Sequence, residues 1–317
     1  MAMKDKSAYK IFGVPVRLGS FKGRVHPDYD TPDFLRALSD CRALVFGPAA
    51  RLLLEKRNRV AAVSIPVSGP SIITPAAAIS VPAVSGPLSA TATADPCIAG
   101  AAGAASSAVD AVVKEFRASG FRKIKTLVVS GKAAKAWRGA AACLVRRVPT
   151  PLPLAYVERR ERGLVAESYF VAARIDDARE VRDLLRTIPP EDLSRLLAAL
   201  ARFLVFAHNQ GILHRDLSDG NLLVRSSRPG VYDLFLIDTN RIRVRREVSL
   251  LGRVRNLVRL GVPQPYQDDF LRLYLGDRRC GRALRLWYRL NKQWYTGFVA
   301  FKRALRLKRL AERLGIQ

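Results

Sequence analysis

No stretch constrains this chain more than residues 212–238, ILHRDLSDGNLLVRSSRPGVYDLFLID. Leu222-Leu223-Val224 is one short apolar run and Val231–Ile237 a second, with the turn chemistry of Ser226-Ser227-Arg228-Pro229-Gly230 between them. That pattern predicts an antiparallel hairpin, in which the start of the first strand lies about 5 Å across the ladder from the end of the second. Asn221, just before the first strand, is thereby brought beside Asp238, just after the second. An amide and a carboxylate so placed can hold a Mg2+ that bridges nucleotide phosphates. Asp216, a short loop before Asn221, then sits where it can accept a proton from an attacking hydroxyl.

His214-Arg215-Asp216-Leu217 with Asn221 also fits the catalytic-loop pattern H-R-D-L-x-x-x-N. A solitary HRD in an arginine-rich chain is a surface acid by default. Here the asparagine spacing, both flanking strands and the terminal Asp238 coincide with it, and together they point to phosphoryl transfer. A P-loop is not the alternative, because Gly131-Lys132-Ala133 lacks both the earlier glycine and the Ser/Thr of that motif.

A chain of 317 residues is long enough for one well-buried two-lobed enzyme unit plus extensions. Its 54 Lys+Arg against 27 Asp+Glu give a formal net charge of +27, which calls for anionic partners: nucleotide phosphates, nucleic acid or an anionic membrane surface. Cys41, Cys97, Cys143 and Cys280 lie far apart in no metal-binding spacing and read as reduced thiols of a cytoplasmic protein. The charged start MAMKDKSAYK has no apolar core of a secretory signal. Three histidines make a histidine-based metal site a poor expectation.

Taken in order, residues 1–40 are poorly periodic, with a short helix expected near Asp33–Ala43. Leu52–Leu54 and Arg59–Ile65 read as two strands joined by a basic turn where a phosphate-covering loop would sit, although no G-x-G-x-x-G is present. From about Pro66 to Ser107, Ala, Ser, Pro, Gly and Val dominate. The repeated prolines and glycines there argue for an insertion rather than a membrane span. Val109–Phe116 is a strand carrying Lys114, the expected partner of nucleotide phosphates, with Lys125 and Lys132 as competitors. A helix follows over about Lys132–Arg147. It holds no acid to pair with that lysine, which leaves Glu158, Glu167 or a different arrangement to hold it.

The stiff connector Pro149-Thr150-Pro151-Leu152-Pro153 leads into a hairpin, Leu154–Glu158 and Val165–Ala173, and then into an inter-lobe hinge over Ala172–Asp177. Pro189-Pro190, the acids Glu191 and Asp192, a leucine stripe from Leu193 to Leu204 and a terminal Gly211 mark a core helix behind the catalytic loop. His208 and His214 read as packing and bracing residues. From Arg241 onward the chain carries over half of its net positive charge, with Trp287, Tyr288, Trp294, Tyr295 and Phe298 interleaved. Basic amphipathic helices over Leu286–Leu314, suited to an anionic membrane surface or to packing on the lobe, account for that pattern. No nucleic-acid module accompanies the charge, so no specific nucleic acid is expected.

No A-P-E follows Asp238, the segment after it reads Thr239-Asn240, and Ser218 stands where many protein kinases have lysine. These features suit kinases of small molecules and glycans. The chain resembles the lipopolysaccharide core kinases, the Kdo/heptose kinase family with a protein-kinase-like fold. The carrying residues are Lys114 in VVKEF, Ala136-Trp137-Arg138, VPTPLPL (148–154), GILHRDLSDGN (211–221), LIDTNR (236–241) and DFLRLY (269–274). The resemblance implies an α+β, two-lobed fold with a small β-rich amino lobe and a mainly helical carboxyl lobe. The expected division is an N-terminal extension at 1–40, an amino lobe at 41–172 interrupted by an insertion at about 66–107, a carboxyl lobe at 173–275 and basic amphipathic helices at 276–317. It further implies Asp216 as catalytic base, Asn221 and Asp238 as metal ligands and Lys114 as the phosphate-binding lysine, with ATP and Mg2+. The acceptor would be a heptose or Kdo of the lipid A-linked core oligosaccharide, at the cytoplasmic face of the inner membrane. The same residues leave open a kinase for another glycan, small molecule or protein, and a non-catalytic nucleotide-binding scaffold.

Overall fold

The computed structural model describes residues 12–55, 58–68, 107–117, 126, 130–276 and 281–304. Most of the expected insertion, the basic turn at 56–57, Lys125, Cys97, Cys280 and everything after residue 304 lie outside the described residues.

The amino-terminal half is one antiparallel sheet of seven strands: β1 (Val14–Leu18), β2 (Phe21–Val25), β3 (Arg51–Glu55), β4 (Asn58–Val67), β5 (Ser107–Phe116), β6 (Pro153–Glu161) and β7 (Leu164–Ala173). Their order across the sheet is β1-β2-β6-β7-β5-β4-β3. Successive side chains of a strand point to opposite faces. On β5 this sends Val109, Ala111 and Val113 into the core and leaves Asp110, Val112 and Lys114 on the other face. β4 supplies Ala61, Val63, Ile65 and Val67 to the same core. Two short helices close it, α1 (Pro32–Ser39) and α2 (Cys41–Phe46), through Phe34, Leu38, Cys41 and Val45. One helix is expected near residues 33–43, and two form. The chain breaks at Asp40, whose carboxylate accepts from the Ala43 N–H at 3.0 Å and so starts α2 afresh. The β1–β2 hairpin, which pairs with β6, is an element beyond those expected.

The tight turn of the β6–β7 hairpin places Arg162 and Gly163 at positive φ, as a two-residue hairpin loop requires. Helix α3 (Lys132–Val145) packs against β6 and β7, and its alanines and Trp137 are buried. Its early turns join Phe116, while Ala142 and Cys143 near its end belong to the core of the other lobe. The helix therefore spans the junction of the lobes.

The second lobe is mainly helical: α4 (Val181–Thr187), α5 (Pro190–Asn209), α6 (Leu250–Leu257), α7 (Gln267–Leu275) and α8 (Arg282–Ala304). The leucine stripe of α5 is fully inside, packed with Phe270, Leu271 and Tyr274 of α7. Short strands carry the remainder: β8 (Arg179–Glu180), β9 (Ile212–His214), β10 (Leu222–Arg228), β11 (Val231–Leu236) and β12 (Ile242–Val244). The largest groups of buried side chains are thus two, one under the seven-stranded sheet and one around α5.

Candidate active site

The β10–β11 hairpin forms, but its first strand runs on past the expected Val224 through Ser226–Arg228, with a bulge there, and the turn narrows from Ser226–Gly230 to Pro229-Gly230. Leu222 lies opposite Leu236, and the Ile237 N–H donates to the Asn221 carbonyl at 3.0 Å. Asn221 and Asp238 therefore emerge side by side. A second ladder, β9 with β12, sets His214 opposite Ile242, and the Arg215 N–H donates to the Arg241 carbonyl at 3.0 Å. Together the two ladders fix both ends of the loop that holds Asp216. The connector 148–154 is tied in as well: Leu236 N–H donates to the Pro149 carbonyl at 2.9 Å and the Thr150 hydroxyl to the Leu236 carbonyl at 2.7 Å.

Lys114 reaches this corner from β5, its Nζ 2.5 Å from Asp238 Oδ1. Lys132, its competitor, reaches the Phe116 ring, at 6.0 Å, a ring that Lys114 itself approaches at 5.2 Å. Burial by itself pushes the Asp238 carboxyl up. The Lys114 ammonium beside it, with help from Arg241, outweighs that and holds it below the usual carboxylate range. Asp238 also adopts a left-handed conformation, φ 56° and ψ 45°, which a non-glycine residue keeps only when its surroundings enforce it.

Neither glutamate considered for Lys114 holds it. Glu158 is buried at the start of α3, where it accepts from the Ala134 N–H at 3.3 Å and from the Ser168 hydroxyl at 3.1 Å. An anion there complements the positive end of the helix dipole. Glu167 bonds instead with Arg159 and with the Tyr169 hydroxyl. The lysine is held by Asp238 directly.

Behind the loop runs a buried polar chain. The Tyr274 hydroxyl donates to His208 Nδ1 at 2.5 Å, His208 Nε2 to Asn256 Oδ1 at 3.0 Å and Asn256 Nδ2 to the His214 carbonyl at 2.8 Å. His214 Nε2 donates to the Asp238 carbonyl at 3.1 Å, and its Nδ1 accepts from the Asp216 N–H at 3.3 Å. These partners assign the proton of both rings to Nε2. Burial pulls His208 down to about 4 and also lowers His214, for which the bond to the Asp238 carbonyl is a partial offset. Both are neutral braces. Asn256 and Tyr274 complete this chain, and an isolated Asn or Tyr in a helix gives no sequence signal of such a role.

Asn221 spends its amide N–H on the Asp216 carbonyl at 2.7 Å, which leaves its Oδ1 to accept. Asp238 keeps Oδ2. Two oxygen ligands of this kind fit Mg2+, which retains several waters and takes substrate phosphate oxygens rather than a full protein cage. Among the described residues no group of three or more His, Cys, Asp or Glu forms such a cage. Asp216 lies on the more open side, about two-fifths exposed, its carboxylate paired with Arg259.

An antiparallel sheet, a bridging helix and a helical lobe with its polar loop at the junction define a protein-kinase-like fold. Residues 130–265, from the residue before Gly131 through the hairpin to the loop beyond Arg259, match the model of the lipopolysaccharide kinase (Kdo/WaaP) family. That match supports kinase activity of the lipopolysaccharide and glycan class. Among solved structures it is similar to WaaP in complex with acyl carrier protein, at 22% identity and a TM-score of 0.44, over 58% of this chain and 80% of that one. It is also similar to the bifunctional kinase-methyltransferase WbdD, at 17% identity and 0.39, over 58% of this chain and 47% of that one. Among curated protein sequences none matches.

Proposed function

We propose that the chain transfers the γ-phosphate of ATP to a hydroxyl of an inner-core sugar, a heptose or Kdo, of lipopolysaccharide still attached to lipid A. The observation that carries this reading is the convergence of Lys114, Asp238, Asn221 and Asp216 at one end of a single hairpin. Lys114 binds the nucleotide phosphates from β5. Asn221 Oδ1 and Asp238 would hold Mg2+, which when bound would offset charge on the phosphate oxygens. Asp216 orients the acceptor hydroxyl and accepts its proton as the oxygen attacks in line. The neutral His214, bonded to the backbone of both Asp216 and Asp238, keeps base and metal ligand in register.

Helix α8 supports an acceptor at a membrane. Leu286, Leu290, Trp294, Phe298 and Phe301 recur at helical spacing and are exposed, Trp294 at 79%, with Arg285 and Arg289 beside them. No described helix is long and apolar enough to cross a bilayer. We infer peripheral attachment to an anionic leaflet, the inner face of the inner membrane, where a lipid A-linked core would be presented.

The test is phosphate transfer from labelled ATP and Mg2+ to purified, dephosphorylated core lipopolysaccharide, beside Asp216→Ala. Transfer by the wild type and none by the variant is the expected result. Equal transfer by both would remove Asp216 from the chemistry, and ATP binding without transfer to any core sugar would sink this choice of acceptor.

A further inference from the structure

Among the described residues, Arg259 is the side chain paired with the carboxylate of Asp216. Its Nη1 pairs with Asp216 Oδ1, and both side chains are about two-fifths exposed. This pair is separate from the Lys114–Asp238 pair on the nucleotide side. A hydroxyl that is to be deprotonated must reach the same carboxylate, on which Arg259 already occupies Oδ1.

Arg259 is also held in place by a built support. It follows α6 on a short segment, and its guanidinium carbon lies 5.4 Å from the centre of the Tyr295 ring of α8. One turn earlier on α8, Lys292 is 8% exposed and sends its ammonium inward. Lys292 donates to the Val258 carbonyl at 3.3 Å and to the Leu260 carbonyl, the two that flank Arg259. Burial lowers the Lys292 ammonium to about 8, with Asp219 acting the other way. Desolvating a lysine is costly unless its donors are satisfied, and here they clamp the backbone on both sides of one exposed arginine.

The geometry points to Arg259 as the acceptor-recognition residue: it rests on Asp216 in the free enzyme and moves to an anionic group of the acceptor, a sugar carboxylate or phosphate, freeing the base only for acidic acceptors. A planar guanidinium matches either anion bidentately, and exchanging one oxyanion for another preserves its charge pairing. Lys292 is a positioning residue that keeps the 258–260 backbone where this exchange can occur. The inference rests on the phosphoryl-transfer reading of the site.

The experiment measures KM for acceptor and for ATP, with the full chain and with Arg259→Ala, Arg259→Lys and Lys292→Met. Three acceptors are compared: core lipopolysaccharide, the same material treated with phosphatase, and the same material with its carboxylates methyl-esterified. Loss of a charge-assisted contact should raise the acceptor KM of Arg259→Ala roughly 10- to 100-fold and leave the KM for ATP unchanged. Arg259→Lys should recover part of this, and Lys292→Met should raise the acceptor KM alone. Wild type should fall to the level of Arg259→Ala on whichever treated acceptor has lost the recognised anion, which distinguishes phosphate from carboxylate. An unmoved acceptor KM in Arg259→Ala, or the same loss on all three acceptors, overturns the assignment while leaving the kinase intact. No transfer by the wild type to any of the three counts against the phosphoryl-transfer reading, and Arg259 then has no acceptor to recognise.

Discussion

Acid should loosen the polar chain behind the catalytic loop, and His208 sets how much. The ring is 2% exposed and bonded on both sides, by Tyr274 and Asn256. Burial holds it near 4 in the folded chain, against 6.5 for a solvated imidazole. Between those two values the unfolded chain binds a proton that the native state refuses, so stability rises with pH across that interval and falls as acid is added. At about 1.4 kcal/mol per pH unit, the full interval amounts to about 3 kcal/mol. The assay is urea unfolding from pH 4 to 7.5 for wild type and His208→Gln, a side chain that can still hydrogen-bond but cannot charge. At pH 7.5 the variant should be less stable by about 1–2 kcal/mol, the cost of an imperfectly remade buried bond. Its stability should then decline less steeply, by up to one proton's worth, so that the two curves converge as the pH falls below 6. His214 and the carboxylates titrate in both proteins and cancel in the difference. Parallel curves over the whole range would mean that His208 takes up its proton equally in both states, and the buried chain would not be as described.

Three further outcomes are expected. Lys114→Met removes the ammonium on Asp238, and ATP affinity should fall about tenfold or more, the scale of one charge-assisted bond, read as loss of the ATP-induced rise in melting temperature; an unchanged rise would take Lys114 out of the nucleotide site. Gly139→Ala sets two effects against each other: helix propensity favours alanine by about 1 kcal/mol, while its Cβ would overlap the Thr239 carbonyl oxygen, an overpacking worth roughly 1–3 kcal/mol. Net destabilisation in urea, with a drop in transfer, is expected, and a gain in stability would show that α3 does not press on this turn. Trp294→Glu on the exposed stripe of α8 should weaken sedimentation with anionic vesicles without altering the melting temperature, and unaltered sedimentation would remove this face from membrane binding.

Much of the site is legible because hairpin geometry is local. Pro229-Gly230 can only be a turn between two strands, and although the first strand runs further toward it than its apolar residues suggest, Asn221 and Asp238 are neighbours whatever the rest of the chain does. The strand of Lys114, the helix after it and the leucine stripe of α5 are equally plain, since each is a periodic pattern longer than its ambiguities. What the sequence hides is of another kind. Strands β1 and β2 are five residues each and carry Arg17, Lys22 and Arg24; the alternation of Val14, Val16 and Leu18 is too short to stand out, and the pairing of β1 with β2 and of β2 with β6 fixes them. The break at Asp40 is a choice between one helix and a capped restart, decided by a single hydrogen bond. Arg259, Asn256 and Lys292 act across the fold at separations of more than thirty residues, and in a chain with 54 Lys+Arg no single cation stands out by type.

The absent helix acid has a structural answer in how α3 is fastened. In protein kinases a glutamate on this helix grips the lysine, so the position of the helix and the state of the site are linked through one ion pair. Here the acid has moved to β6 and grips the helix: Glu158 accepts from the Ala134 N–H, and Ser168, which donates to Glu158, accepts from the Ala133 N–H at 3.2 Å. Further along, the Thr239 hydroxyl donates to the Ala136 carbonyl at 2.8 Å, and Gly139 lets the helix settle directly on the Thr239 backbone. Thr239 is the residue after Asp238. The helix is therefore pinned at its start to the sheet that carries Lys114 and in its middle to the turn that carries Asp238. With both ends of the Lys114–Asp238 pair referenced to one rigid helix, a bridging glutamate has nothing left to position. A helix swung outward would have to break the Thr239 bond and the Glu158 cap together, at about 1 kcal/mol or more for each. Such a site is assembled by folding, with Asp216 and Arg259 left facing solvent on its open side.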